Sequence, residues 1–220
     1  MIKACIFDMD GTVANTINSI AYFANKALLK AGFPEIDTET YKTLVGDGAK
    51  VLVERMLDTV GASRERYEEV ANEYNSKYHA DFLYLTEPYE GILDMISKLK
   101  EIGIKVTIFS NKPHDTAIKV SDALFPDGCV DICYGAREGI ALKPDPQGAY
   151  EILDELGINP EECLYIGDTG TDMQTGKAAG LYTIGVLWGF RGREELEENG
   201  ADAIIMHPAE ILDIVNKLNS

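Results

Sequence analysis

The stretch Ile6-Phe7-Asp8-Met9-Asp10-Gly11-Thr12 joins a short apolar run to two carboxylates, two residues apart, and a glycine. The apolar run is typical of a buried strand. Gly11 permits a turn that lets both carboxylates approach a ligand from different directions. Asp and Gly also occur at strand ends for conformational reasons alone. By itself the stretch therefore fits either a reactive pair of acids or a solvated turn.

Apolar runs of the same kind recur along the chain and predict buried strands, at residues 3–7, 105–109, 130–134, 163–166, 183–187 and 203–206. Between them, apolar residues recur at helical spacing, at 92–99, 149–156 and 211–218. Strands that alternate with helices imply right-handed crossovers. The sequence therefore predicts a doubly wound, mainly parallel, Rossmann-like α/β sheet with helices on both faces.

One segment interrupts this alternation. From about Thr16 to Asp81 the chain carries helical patterns and no convincing strand pattern. Such a segment is too long for a simple crossover, so we expect a cap over the carboxyl ends of the strands, where doubly wound sheets bind ligands. The predicted domains are an α/β core of residues 1–15 and 82–220 and a helical cap of residues 16–81.

The composition narrows the class of partner. A formal net charge of −17 on 220 residues disfavours nucleic acids and anionic membranes. No apolar stretch reaches membrane-spanning length, and no signal-peptide pattern precedes the first strand. The four cysteines lack a CxxC pair, which favours reduced thiols. We therefore predict a cytoplasmic protein that acts on a small molecule, either as a monomer or as a homodimer.

A second group of acids follows the predicted strand that ends near Ile166. Asp168 comes directly after this strand, and Asp172 enters the next helix, which Gly170 or Thr171 is expected to cap. Three acids at neighbouring strand ends repel one another unless a hard cation lies among them, and Mg²⁺ prefers oxygen ligands. For Asp172 the alternative is a purely electrostatic preference for a helix N-terminus.

Two further segments carry polar residues in suggestive places. The strand at 105–109 ends in Ser110-Asn111-Lys112, where a hydroxyl and exposed backbone N–H groups can hold phosphate oxygens, although a polar turn has the same composition. Lys143 precedes two prolines, which stiffen its loop and can aim the ammonium into a cleft. A lone lysine before proline is more often solvated.

Taken in order, Asp-x-Asp, Ser-Asn, Lys and the final pair of Asp resemble the haloacid dehalogenase-like superfamily of phosphotransferases, from Ile2 to about Arg193. The resemblance implies that Asp8 is the nucleophile and Asp10 the general acid and then the base. Mg²⁺ would be bound by the carboxylates of Asp8 and Asp168 and by the backbone carbonyl of Asp10. Asp172 would lie outside these direct ligands or at a secondary metal site.

The resemblance also implies a set of phosphate-binding residues, namely Thr12, Ser110, Asn111 and Lys143. The dehalogenases that give the superfamily its name lack an acid at the place of Asp10. Because this sequence has that acid, phosphoryl transfer is favoured over carbon–halogen cleavage.

Within the superfamily, residues 44–55 and 185–191 resemble those of phosphoglycolate phosphatases. In the first stretch Gly46 and Gly48 would form a tight cap loop facing the active site. Lys50 or Arg55 would then be available to a substrate carboxylate, and the alternative for this pair is a helix start with solvated cations.

One departure weakens the substrate assignment: Ala14-Asn15-Thr16 stands where that family commonly has an acidic residue and a serine. The predicted function is a Mg²⁺-dependent phosphatase that hydrolyses a small phosphomonoester, with 2-phosphoglycolate favoured, through an aspartyl phosphate. The alternatives are a pyrophosphatase, a nucleotide or sugar-phosphate phosphatase, a β-phosphoglucomutase-like phosphomutase, or a binding module without turnover. The three scattered histidines indicate no catalytic role.

Overall fold

A computed structural model describes residues 1–220. Its eight strands are β1 (Ala4–Phe7), β2 (Ala14–Asn15), β3 (Glu87–Pro88), β4 (Lys105–Pro113), β5 (Ile132–Ala136), β6 (Cys163–Gly167), β7 (Tyr182–Val186) and β8 (Ala203–Ile205). Six of them form one parallel sheet in the order β5-β4-β1-β6-β7-β8. After β1 the chain forms β4 and β5 on one side of β1 and then β6, β7 and β8 on the other side. The strand order therefore reverses at β1, and doubly wound sheets bind ligands at such a topological switch point.

The ten helices are α1 (Ile17–Lys30), α2 (Thr38–Leu44), α3 (Ala49–Thr59), α4 (Tyr67–Ala80), α5 (Ile92–Glu101), α6 (His114–Leu124), α7 (Gln147–Leu156), α8 (Gly170–Ala178), α9 (Arg193–Glu198) and α10 (Glu210–Asn219). Helices after β3 cover both faces of the sheet. Alternate residues of β1 serve the two faces, because side chains in a strand alternate. Cys5 and Phe7 belong to the larger apolar cluster, and Ala4 and Ile6 belong to the smaller one. None of the helices combines the length and apolarity needed to cross a bilayer.

Helices α1 to α4 pack around an apolar cluster of their own, which contains 21 buried residues. The chain enters this helical unit through β2 and leaves it before β3, and these two short strands pair with each other in antiparallel fashion. Ala14 lies opposite Pro88, and Asn15 lies opposite Glu87. The two crossings between the sheet and the helical unit therefore lie side by side.

The predicted doubly wound α/β sheet with a helical insert after its first strand is confirmed. Two details differ from prediction. Strand β4 continues to Pro113, and β2 and β3 carry no predicted strand, because two-residue strands are too short to show alternation. The domain boundaries at residues 15/16 and 81/82 stay a prediction.

Candidate functional site

Three carboxylates converge at the carboxyl end of β1. Phe7 of β1 pairs with Ile166 of β6, so the residues that follow the two strands emerge next to each other. One carboxylate oxygen from each of Asp8, Asp168 and Asp172 lies within 4.8 Å of the others. All three side chains are buried, so their mutual repulsion is poorly screened by water.

A single lysine meets this cluster. Lys143 Nζ lies 2.8 Å from Asp8 Oδ1 and 2.6 Å from Asp172 Oδ1, and its side chain is only 2% exposed. Burial raises the pKa of Asp8 to about 7, with Lys143 opposing the shift and Asp172 adding to it. Burial, followed by Asp172 and Asp8, raises the pKa of Asp168 well above its ordinary value. One ammonium thus contacts two of the three carboxylates, and Asp168 has no ion-pair partner.

This uncompensated negative charge and the all-oxygen donor set fit a hard divalent cation such as Mg²⁺. The Asp8 and Asp168 carboxylates are the best placed to hold it, because each keeps acceptor capacity in the cluster. The residues present therefore agree with the metal that the sequence predicts.

Asp168 is held in position by its surroundings. Thr12 Oγ1 donates to Asp168 Oδ1 at 3.0 Å, and the Phe190 backbone N–H donates to Asp168 Oδ2 at 2.8 Å. Gly11 has a φ of +91°, and a Cβ at this position would overlap the Asp168 carboxylate. The glycine therefore serves close approach as well as turning. The resemblance implies that Thr12 binds phosphate, whereas in the structure its hydroxyl donates to Asp168.

Asp172 is the third residue of α8 and forms a capping box with Thr169. Its Oδ2 accepts from the Thr169 backbone N–H at 3.1 Å and from Thr169 Oγ1 at 2.7 Å, and its Oδ1 accepts from Lys143. The expectation that Gly170 or Thr171 caps this helix was wrong, because Thr169 has the extended backbone that an N-cap needs. These contacts indicate that Asp172 positions Lys143.

Asp10 lies beside a lysine that the sequence patterns did not single out. Lys112 Nζ lies 3.0 Å from both carboxylate oxygens of Asp10 and 4.8 Å from the centre of the Tyr78 ring. The side chain of Lys112 is 4% exposed, and the Asp10 carboxylate raises its pKa against the effect of burial. The sequence carries no signal for this burial, because a lysine before a proline is more often solvated.

Ser110 and Asn111 lie within β4, which continues past the predicted end at Phe109 to Pro113. Asn111 Oδ1 accepts from the Lys143 backbone N–H at 2.8 Å, and Asn111 Nδ2 donates to the carbonyls of Lys143 and Gly46, each at 3.1 Å. Asn111 therefore fixes the Lys143 loop and ties it to the helical unit. Ser110 Oγ accepts from the Lys112 backbone N–H at 3.3 Å.

A cavity of about 60 Å³ lies between the strand tips and the helical unit. Its polar lining includes Asp8, Asp10, Ser110, Asn111, Lys112 and His79. Its apolar lining includes Ile20, Val45, Leu52, Tyr74 and Tyr78. Gly46 and Gly48 also line it. His79 was expected to have no catalytic role, and its Nδ1 lies 2.8 Å from Thr116 Oγ1 at the cavity wall.

The structure does not bring the predicted cap cations to this cavity. Lys50 is exposed and does not line it. Arg55 pairs with Asp47 at 2.5 Å and donates to the Leu44 carbonyl at 3.0 Å. The alternative of a helix start with solvated cations describes Lys50, whereas Arg55 is held by its local partners.

Comparison with known proteins agrees with this geometry. Residues 5–186 match a family described as haloacid dehalogenase-like hydrolase. The chain belongs to this family. It is 29% identical over 215 residues to a phosphoglycolate phosphatase of Aquifex aeolicus, covering 98% of this chain and 97% of that protein. It is also 28% identical over 225 residues to an N-acetylmuramic acid 6-phosphate phosphatase of Pseudomonas aeruginosa, with 98% and 96% covered.

A solved structure from Lactobacillus delbrueckii subsp. bulgaricus superposes with a TM-score of 0.91 at 29% identity, covering 97% of this chain and 98% of that one. The family and the fold are therefore shared along almost the entire chain. The names of the relatives span two different leaving groups, so likeness alone does not select a substrate.

Proposed function

We propose that this haloacid dehalogenase-like hydrolase is a Mg²⁺-dependent phosphatase that cleaves a small phosphomonoester through an aspartyl phosphate. The observation that carries the proposal is the difference between two neighbouring carboxylates that line one cavity. Asp8 is buried against Lys143 and two further acids. Asp10 is 20% exposed and paired with Lys112. Different surroundings suit the two carboxylates to different roles in one reaction.

In the first half-reaction a carboxylate oxygen of Asp8 attacks phosphorus, and the bond from phosphorus to the ester oxygen breaks. Asp10 gives its proton to that departing oxygen. In the second half-reaction Asp10 takes a proton from water as the water oxygen attacks phosphorus. The bond from phosphorus to Asp8 breaks, which returns the Asp8 carboxylate and a protonated Asp10 and releases phosphate.

The surrounding residues position these groups. Lys143 lies against Asp8, where an incoming phosphoryl oxygen would find its ammonium, and Asp172 and Asn111 hold that lysine. Asp8, Asp168 and the backbone carbonyl of Asp10 would hold Mg²⁺. When bound, the metal neutralises charge on the phosphoryl oxygens. Positioning and charge neutralisation supply most of the rate in phosphoryl transfer.

The relatives of the chain support a small leaving group. Seven of them, at 26–31% identity, are named phosphoglycolate phosphatase, so we favour 2-phosphoglycolate as substrate. The cavity is partly open to solvent, so its volume sets no upper limit on the leaving group. Pyrophosphate, sugar phosphates, nucleotides and a phosphomutase reaction stay alternatives. The cytoplasmic location and the choice between monomer and homodimer also stay predictions.

Phosphate release from a panel of esters tests the proposal. The panel contains 2-phosphoglycolate, pyrophosphate, glucose 6-phosphate, β-glucose 1-phosphate and a nucleoside monophosphate, each with Mg²⁺ and with a chelator. We expect metal-dependent release with the highest kcat/KM for 2-phosphoglycolate. Release that a chelator does not reduce would contradict the metal assignment, and release from none of the esters would contradict a phosphatase.

A further inference from the structure

One cationic side chain lines the cavity, and the proposed reaction assigns it no contact with the substrate. Lys112 is the only lysine or arginine that lines it. Its ammonium lies at the cavity wall, between the carboxylate of Asp10 and the face of the Tyr78 ring. Arg55 is engaged by Asp47, and Lys50 points to solvent. Any negative charge on a leaving group would therefore meet Lys112 first.

The hydroxyl of Tyr78 is a second, independent observation. Tyr78 is 5% exposed and lines the same cavity. Its hydroxyl is buried with no partner at hydrogen-bond geometry, and Lys112 and the Ser19 hydroxyl are its polar neighbours. Burial raises the pKa of Tyr78, with Lys112 acting in the opposite direction, so this residue carries its proton at neutral pH. A buried hydroxyl without a partner is unusual and costly, and a ligand that accepts a hydrogen bond would remove the cost.

The geometry of Asp10 makes room for such a ligand. In the structure both of its carboxylate oxygens lie against Lys112. To protonate the departing ester oxygen, Asp10 has to turn one of these oxygens toward the substrate. That turn frees an N–H of Lys112, which then needs another acceptor.

We propose that the Lys112 ammonium and the Tyr78 hydroxyl form an anion subsite that binds a carboxylate on the leaving group and thereby selects the substrate. Both groups are donors, and an ionised carboxylate offers acceptors only, so the two sets are complementary. The inference rests on the proposed phosphatase function. It assigns the choice of substrate to a residue of β4 and a residue of α4, in place of the predicted Lys50 and Arg55.

The variant Tyr78→Phe tests the subsite, because it removes the hydroxyl and keeps the ring beside Lys112. The measurement is kcat/KM, with Mg²⁺, for 2-phosphoglycolate and for its neutral amide, 2-phosphoglycolamide. We expect the wild-type enzyme to prefer the acid and Tyr78→Phe to lose about tenfold of this preference, since a hydrogen bond to a charged group is removed. The rate on the amide should fall less than the rate on the acid, because the amide carries no charge for the subsite to bind.

Tyr22→Phe is the matched control, since Tyr22 is 39% exposed and lies outside the cavity. It should keep the wild-type preference. An unchanged preference in Tyr78→Phe would overturn the subsite. A wild-type enzyme that hydrolyses both esters equally would also overturn it while leaving the phosphatase intact. An enzyme that hydrolyses no ester would overturn the proposed function, and the subsite with it.

Lys112 is tested by binding, because its loss also disturbs Asp10 and lowers turnover on every ester. The probes are 3-phosphonopropionate, which has a methylene in place of the ester oxygen, and propylphosphonate, which lacks the carboxylate. By calorimetry, Lys112→Met should weaken binding of the first by about tenfold more than binding of the second. Lys119→Met, at an exposed lysine of α6, should change neither. An equal effect of Lys112→Met on both probes would overturn the assignment of Lys112.

Discussion

At the scale of single residues, the site divides into groups that sequence patterns reveal and groups that they hide. Asp8, Asp10 and Asp168 follow apolar strands and lie within three residues of a glycine, which is a visible local pattern. Lys112 stands directly after Ser110 and Asn111 but reads as a solvated lysine. Only the extension of β4 to Pro113 shows that its ammonium turns inward to Asp10.

Replacement of the proposed nucleophile gives the sharpest test at this scale. Asp8→Asn keeps the size of the side chain and removes the attacking carboxylate, so we expect kcat to fall by about 10⁴-fold or more. Phosphate release under saturating Mg²⁺ measures the loss, and circular dichroism checks the fold. Asp115→Asn, at an exposed acid of α6, is the control and should retain full activity. Metal-dependent hydrolysis by Asp8→Asn at the wild-type rate would exclude Asp8 as nucleophile.

At the scale of elements, the start of α8 joins local structure to the chemistry. The Thr169 hydroxyl caps the helix and also donates to Asp172, which in turn holds Lys143. A helix start with Gly170 and Thr171 as plausible caps was predictable from the sequence. Thr169 also had a signal in the sequence, because a threonine three residues before an acid, as Thr169 is before Asp172, is the pattern of a capping box.

The cap of α8 leads to a prediction about stability and rate together. Thr169→Ala should lower the free energy of unfolding by about 1 kcal/mol, because the helix loses its N-cap hydroxyl. It should also lower kcat about tenfold, because Asp172 then holds Lys143 less firmly. Urea unfolding and phosphate release measure the two effects. Thr169→Ser, which keeps the hydroxyl, should restore both, and a loss of stability without any loss of kcat would separate the cap from the site.

At the scale of the whole molecule, the sheet and its helical insert follow from the alternation of sequence patterns. The two-residue strands β2 and β3 could not be predicted, since pairing of Ala14 with Pro88 joins positions that are distant in sequence. The cavity also depends on long-range contacts, such as the one from Asn111 to Gly46.

The buried acids predict how pH and Mg²⁺ act on global stability. Burial raises the pKa of Asp8 from 3.8 to about 7 in the metal-free protein, so the folded state binds the proton more tightly than the unfolded state does. The contribution of Asp8 to stability is therefore greatest below pH 4 and falls as pH rises from about 4 to about 7. Mg²⁺ needs ionised ligands and should offset this loss.

Melting temperatures with Mg²⁺ and with a chelator, at pH 6 and pH 8, measure the effect. We expect Mg²⁺ to raise the melting temperature more at pH 8 than at pH 6. A buffer without Mg²⁺ that contains NaCl at the same ionic strength controls for the screening of charges by salt. The same increase at both pH values would argue against a metal held by Asp8.

The antiparallel pairing of β2 with β3 has a consequence for how the protein diversifies. Ala14 and Asn15 lie opposite Pro88 and Glu87. The residues between these two strands therefore connect a paired set of strands, as the loop of a β-hairpin does. A short turn could close the same pair of strands, so this insert can be lengthened, shortened or exchanged without moving Asp8 or Asp168. Substitutions in α4 can then change which substrate is bound, while the residues that perform phosphoryl transfer stay the same.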